Sequence, residues 1–146
     1  MKGKSYIKCD INKCVECHAC EVACKAYNNV EPGVKWRWVE SIWEGDYPNV
    51  KNFSYSISCY QCQEAPCVEA CLSKAITQDS ASGIVFVDQD KCQSNRDCFE
   101  KCPYQIPQFG ISGKMEKCDL CHTLVEQGKE PVCVSTCPSG ALSLVK

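Results

Sequence analysis

The chain has 146 residues, room for one compact domain or two small fused ones, and its 45% apolar share counts sixteen cysteines. Without them about a third of the residues are apolar, so a conventional side-chain core would be thin. A net charge of −2 with dispersed Lys and Arg offers no basic stripe to nucleic acid, and no apolar run is long enough to span a bilayer.

In chain order, Tyr6 to Ile11 reads as a short strand. The positive charge ahead of it is not followed by an apolar region, unlike a secretory signal. A chain kept among reduced thiols uses cysteine for metal rather than for disulfides. The first cysteine array follows, Cys14-x2-Cys17-x2-Cys20-x3-Cys24, with a helix expected from its third cysteine through Ala19-Cys-Glu-Val-Ala-Cys-Lys25. Residues 25 to 58 hold no cysteine and carry Trp36, Trp38, Trp43, Tyr47, Phe53 and Tyr55. This segment is expected to be an inserted hairpin or loop covering one module, with strand composition from Val34 to Trp43.

The second array is Cys59-x2-Cys62-x4-Cys67-x3-Cys71. Ala75 to Gln78 and Gly83 to Val87, joined by Asp79-Ser-Ala-Ser-Gly83, then read as a hairpin. The third array, Cys92-x2-Asn95-x2-Cys98-x3-Cys102-Pro103, has asparagine where a cysteine is expected. The fourth, Cys118-x2-Cys121-x11-Cys133-x3-Cys137-Pro138, precedes a last strand from Ala141 to Val145. The arrays form an internal repeat with varying insertions. Short helices are expected at each third cysteine, and Cys9, outside the arrays, reads as a small buried hydrophobe on a strand.

A [4Fe–4S] cube needs four thiolates converging from different directions. The C-x2-C-x2-C run wraps one cube, while the cysteine four positions later lies about one helical turn on and aims at a neighbouring cluster. Two arrays thereby cross-link two cubes, and proline after Cys102 and Cys137 repeats the bacterial-ferredoxin ending. Regular spacing without a signal argues against a disulfide framework. Zinc sites use paired C-x2-C knuckles, not three cysteines at successive spacing. Cys14-Val-Glu-Cys17-His18 and Cys118-Asp-Leu-Cys121-His122 match the covalent-haem motif, but the longer arrays account for both, leaving His18 and His122 solvent-side or beside the ligands.

The four arrays in order resemble the iron–sulfur subunits of the dimethyl sulfoxide reductase family of molybdenum or tungsten bis-pterin oxidoreductases. Further matching stretches are Asn28-Asn29-Val30 with Gly33-Val34-Lys35-Trp36-Arg37, Gly113-Lys-Met-Glu-Lys-Cys-Asp-Leu-Cys121, and Cys102-Pro-Tyr104 followed by Pro107-Gln-Phe109. The resemblance runs from about Ile7 to Leu144. It implies an α+β, loop-rich fold of two fused bacterial-ferredoxin-like modules within one compact unit, 1–146. Module A comprises 1–26 plus 111–146, module B comprises 56–110, and 27–55 is the insertion.

The ligand sets it implies are Cys14, Cys17, Cys20 and Cys137 for the first cluster, and Cys118, Cys121, Cys133 and Cys24 for the second. The third takes Cys59, Cys62, Cys67 and Cys102, and the fourth Cys92, Cys98 and Cys71, with Asn95 at the missing position. Three sites would hold [4Fe–4S]. The fourth would hold [3Fe–4S] or an atypically ligated [4Fe–4S], completed by Asn95 or by water or hydroxide. A lost thiolate removes negative charge and raises the potential of that site. Leu72, where proline often follows the fourth cysteine, is a milder departure.

The expected role is electron conduction, with no catalytic site of the chain's own: no Gly-rich phosphate loop occurs, and both histidines directly follow cysteines. The resemblance implies a large molybdenum- or tungsten-pterin catalytic subunit as partner, with a further redox or membrane-anchor subunit beyond it. Two other readings are a free diffusible polyferredoxin and a filament-forming conductor. The pI near 5.7, only mildly acidic, leans toward the docked subunit. Cytoplasmic placement and periplasmic placement by co-export with a partner are both compatible with the sequence.

Overall fold

The computed structural model describes residues 4–146, so the first three residues of the expected module A lie outside it. Short elements alternate with loops throughout. β1 (Tyr6–Cys9) is followed by α1 (Ala19–Asn28), then β2 (Arg37–Glu44) and β3 (Lys51–Ser58). Next come α2 (Pro66–Ala70), β4 (Ile76–Gln78), β5 (Val85–Val87), α3 (Asp97–Lys101), β6 (Gln108–Phe109) and β7 (Met115–Glu116). The chain closes with α4 (His122–Glu126), α5 (Val132–Ser135) and β8 (Leu142–Val145).

All the sheets described are antiparallel pairs. β1 pairs with β8 across the whole chain, Tyr6 opposite Val145 and Cys9 opposite Leu142. The cysteine-free segment, expected as a hairpin or loop, is a hairpin of β2 and β3, with Arg37 opposite Ser58. β4 and β5 form the second expected hairpin, Ile76 opposite Val87. Its turn is closed by Gly83, whose N–H donates to Asp79 C=O at 2.8 Å and whose φ of +74° suits glycine. The β6–β7 pair is too short to leave a period in the sequence.

The helices obey the arrays closely. α1, α2, α3 and α5 begin one residue ahead of Cys20, Cys67, Cys98 and Cys133, which occupy the third position of each array. The alanine-rich α1 runs to ten residues and stops where Asn29 turns left-handed (φ 50°). α4, inside the long spacer of the fourth array, carries no such signal. Helix α1 packs on α5, and α2 packs on α3. No helix among the described residues is long and apolar enough to cross a membrane.

The buried side chains fall into two groups. One contains Ile7, Ile84, Leu120 and Leu142 together with Cys20, Cys118 and Cys133. The other contains Ala65, Ile76, Val85 and Met115 with Cys98. Cysteine therefore takes core positions that a larger domain would give to Leu or Ile. Gly110 marks another tight spot: a Cβ there would overlap the Glu31 carboxylate, which accepts the Ile111 N–H at 3.0 Å.

A fold with so thin an apolar core should depend on whatever its thiols bind, because ligand binding free energy is then folding free energy. Iron chelation under oxidising conditions is expected to abolish cooperative unfolding and the near-UV circular dichroism together. A chelated chain that kept native near-UV signal would show the core to be sufficient alone.

Candidate metal centres

None of the sixteen cysteines, all of them among the described residues, is in a disulfide. Among those residues no three His, Cys, Asp or Glu side chains close around a single-ion position; the thiols ring larger spaces instead. One cavity is lined by Cys14, Cys17, Cys20 and Cys137, together with Cys9, Val39 and Ser56. Another is lined by Cys59, Cys62, Cys67 and Cys102, with Tyr104, Ile106 and Lys117 on its walls. In both, three thiols come from one array and the fourth arrives from a distant one.

The other thiols also lie near one another. Burial, then Cys133 and Cys121, pushes Cys24 up to about 12. Cys118 is buried, and burial, then Cys59 and Cys133, pushes its thiol up. Burial, then Cys92 and, further down, Cys71, pushes Cys98 up to about 11. Burial and the neighbouring Cys59 raise Cys67 to about 12. Such thiols cannot ionise beside one another unless a positive centre stands among them. An iron–sulfur cluster, which takes thiolate ligands and brings its own positive iron, fits this donor set.

The backbone of the loops supports the same fit. Between the first-array cysteines, Glu16 and His18 both have φ of 57°; at the equivalent third-array positions Ser94 has φ 60° and Arg96 φ 65°. Gln61 and Leu120 repeat the first of these left-handed positions in the other two arrays, at 49° and 59°. Alternation of right- and left-handed residues turns successive N–H groups inward and makes an anion-binding concavity. Individual donors also reach the sulfurs. Leu120 N–H is 3.4 Å from Cys118 Sγ, Met115 N–H 3.4 Å from Cys92 Sγ, and Asn28 Nδ2 3.5 Å from Cys24 Sγ.

The fourth cysteines Cys71 and Cys137 share one device. Each is followed two residues on by a serine, with Oγ–Sγ distances of 3.4 Å to Ser73 and 3.7 Å to Ser139. Burial alone would raise both thiols. The serine hydroxyls and nearby N–H groups outweigh it and hold them below the ordinary value.

Asn95 is exposed, and its Nδ2 donates to Asp97 Oδ2 at 2.8 Å. The third-array loop thus keeps the left-handed pattern while this side chain is engaged outward. Arg96 beside it stacks 4.8 Å from the centre of the Phe109 ring. Cys9 differs from its expected place as an enclosed core residue. It is half-buried at the end of β1, lines the first-array cavity and accepts the Ser56 N–H at 3.3 Å. His18 and His122 lie at the surface as expected, their Nδ1 atoms 3.1 Å from Glu21 and 3.0 Å from Asp119.

Residues that the spacing does not reveal fasten the arrays together. Gln61, fully buried between Cys59 and Cys62, donates from Nε2 to Cys118 C=O at 2.8 Å. Its Oε1 accepts the Val85 N–H at 2.9 Å and Lys117 Nζ at 3.3 Å. Lys117, itself buried, also donates to Val85 C=O at 2.6 Å and Cys118 C=O at 2.9 Å. Arg37 and the buried serines 54, 56 and 58 of β3 lie beside the first array; Ser54 Oγ donates to Cys14 C=O at 3.2 Å, and Ser56 Oγ lies 3.4 Å from Cys20 Sγ.

A family model described as a 4Fe-4S dicluster domain matches residues 50–146. The B subunit of the anaerobic dimethyl sulfoxide reductase of Escherichia coli (strain K12) is 38% identical over 142 residues, covering 91% of this chain and 69% of that protein. The probable anaerobic dimethyl sulfoxide reductase subunit YnfG of the same organism is 37% identical over the same shares. Protein NrfC of that strain is 38% identical over 137 residues, covering 92% of this chain and 61% of its own length.

The Gln61 network yields a direct test. Gln61→Ala removes the acceptor of the Val85 N–H and one of the three acceptors of Lys117, and an orphaned buried group costs about 1–3 kcal/mol. The anaerobic melting temperature of the loaded protein should fall by several degrees. An unchanged melt would mean that the junction contributes no stability.

Proposed function

Because the chain belongs to the family of 4Fe-4S dicluster proteins and is similar to the B subunits of anaerobic dimethyl sulfoxide reductases, we propose that it conducts electrons as the small subunit of a molybdenum- or tungsten-pterin oxidoreductase. The observation that carries the reading is the cavity in which Cys59, Cys62 and Cys67 of one array meet Cys102 of another. Two arrays exchanging one cysteine is the arrangement by which ferredoxin-type modules hold two clusters side by side.

On this reading the residues divide into four sets, in two modules that correspond to 1–26 with 111–146 and to 56–110. Cys14, Cys17, Cys20 and Cys137 hold the first cluster; Cys24, Cys118, Cys121 and Cys133 the second. Cys59, Cys62, Cys67 and Cys102 hold the third, and Cys71, Cys92 and Cys98 the fourth. When bound, the clusters supply one-electron exchange. The chain's own residues fix the sulfurs, point N–H donors at them, and limit the approach of water. The junction of Gln61, Lys117 and Cys118 C=O braces the second-array loop against the fourth, so that the two modules hold a fixed separation.

A large catalytic chain is the proposed partner. Apolar side chains left in solvent beside the first array and on the β2–β3 hairpin support docking: Val15 and Val22 are 64% and 67% exposed, Trp43 and Tyr47 69% and 92%. Protein isolated anaerobically from its native source is expected to contain iron and acid-labile sulfide, and to co-purify with a larger pterin-containing chain. Covalent haem, or zinc with negligible sulfide, would overturn the cluster reading. A loaded chain that always purifies alone would instead make it a free carrier.

The set of Cys71, Cys92 and Cys98 has three thiolates, and Asn95 at the position of the missing cysteine is a hard neutral donor that iron in a sulfide cube disfavours. Its exposed side chain is turned to Asp97 through Nδ2. This supports a [3Fe–4S] centre there, for about 15 iron per chain rather than about 16. The oxidised protein should show a near-isotropic three-iron EPR signal, and Asn95→Cys should replace it with a reducible cube of lower potential. A fourth iron bonded to Asn95 in an anaerobic crystal structure would refute this.

A further inference from the structure

Arg37 opens β2 and is 2% exposed. Nη1 donates to Ser56 Oγ at 2.8 Å and Nη2 to Ser58 Oγ at 2.5 Å. Among the described residues it makes no ion pair with a carboxylate. The nearby buried carboxylate, Glu21, is directed to the Val39 N–H, His18 and Lys35. A guanidinium remains charged in a protein, and an unpaired buried charge is costly, so its countercharge must lie elsewhere.

The groups around it are thiols. Ser56 Oγ, which accepts from Arg37, lies 3.4 Å from Cys20 Sγ, so one hydroxyl links the guanidinium to the first-array sulfur. Burial alone would lower the pKa of Arg37, but Cys133, Cys118, Cys20 and Cys24, as thiolates, raise it. Cys20 belongs to the first proposed ligand set and the other three to the second. Cys20 shares one buried cluster with Cys118 and Cys133, so the cation that reaches Cys20 through Ser56 lies beside both sets, and both are anionic when loaded.

We infer that Arg37 is the shared countercharge of the first and second cluster sites and holds both at a higher reduction potential than they would otherwise have. The inference rests on the ligand sets proposed above. Each reduction adds one electron, supplied by the redox partner, with no bond made or broken and no proton required. The added negative charge is stabilised by the fixed guanidinium, directly and through Ser56. Arg37 is a positioning residue for charge: it touches no reacting atom other than through that hydroxyl and the surrounding field.

The test is an anaerobic potentiometric EPR titration of the full loaded chain, with signals assigned by Cys137→Ala for the first site and Cys24→Ala for the second. Arg37→Gln should lower the potentials of those two sites by about 59 mV or more, a tenfold shift in a one-electron equilibrium, and leave the second- and third-array sites unmoved. Arg37→Lys should return most of the shift. Unmoved potentials in Arg37→Gln, or an equal fall at all four sites, would overturn the inference. If Arg37→Gln loses iron from the first two sites, Arg37→Lys decides: restored iron and potentials support a charge role, and continued loss shows that guanidinium shape alone matters. A wild type lacking clusters, or whose Cys variants disturb other sites, would refute the ligand sets themselves and is read separately.

Discussion

Burying sulfur in a small protein raises the cost of ionising it, and the elements of this chain are arranged around places where that cost is met. Cys24 and Cys67 are pushed to about 12 and Cys98 to about 11, first by burial and then by other thiols. A metal–sulfur centre removes both causes together, by replacing protons with iron and by filling the space the thiols enclose. Helices that begin one residue ahead of the third position of each array, and loops with recurring left-handed residues, place donors around the same spots. Local conformation, packing and cofactor chemistry are one problem here.

The array spacing reveals most of the architecture because it repeats: each C-x2-C run demands a tight loop and each third cysteine a helix start. The two longer hairpins are legible from β-branched and aromatic runs bounded by turn residues. Phe53-Ser-Tyr-Ser-Ile-Ser58 misleads by the same rules. Alternation would bury Phe53, Tyr55 and Ile57, yet Ser54, Ser56 and Ser58 are the buried face. They face Arg37 and the Cys14 carbonyl rather than an apolar layer. Gln61 and Lys117 escape notice for a related reason: a buried polar side chain has no periodic signature, and the two are 56 residues apart in sequence.

The third array shows how far backbone and side chain can separate. Ser94 and Arg96 keep the left-handed turns that Glu16 and His18 make in the first array, though Asn95 replaces the cysteine between them. The loop is therefore specified by more than its cysteines. Phe109 beneath Arg96 and the Met115 N–H on Cys92 hold the same stretch from the β6–β7 side.

The pairing of β1 with β8 has a consequence for biosynthesis. Tyr6 finds its partner at Val145, so β1 stays single until β8 leaves the ribosome, on the order of ten seconds later. The β4–β5 hairpin and the α2–α3 pair, by contrast, join elements close in sequence and are complete once Lys101 has emerged. Assembly should run from the middle outward, with the cysteines of the first array exposed to oxidants longest. A cell making this chain would need to keep that nascent stretch reduced, and a stop codon ahead of Leu142 would strand the opposite end.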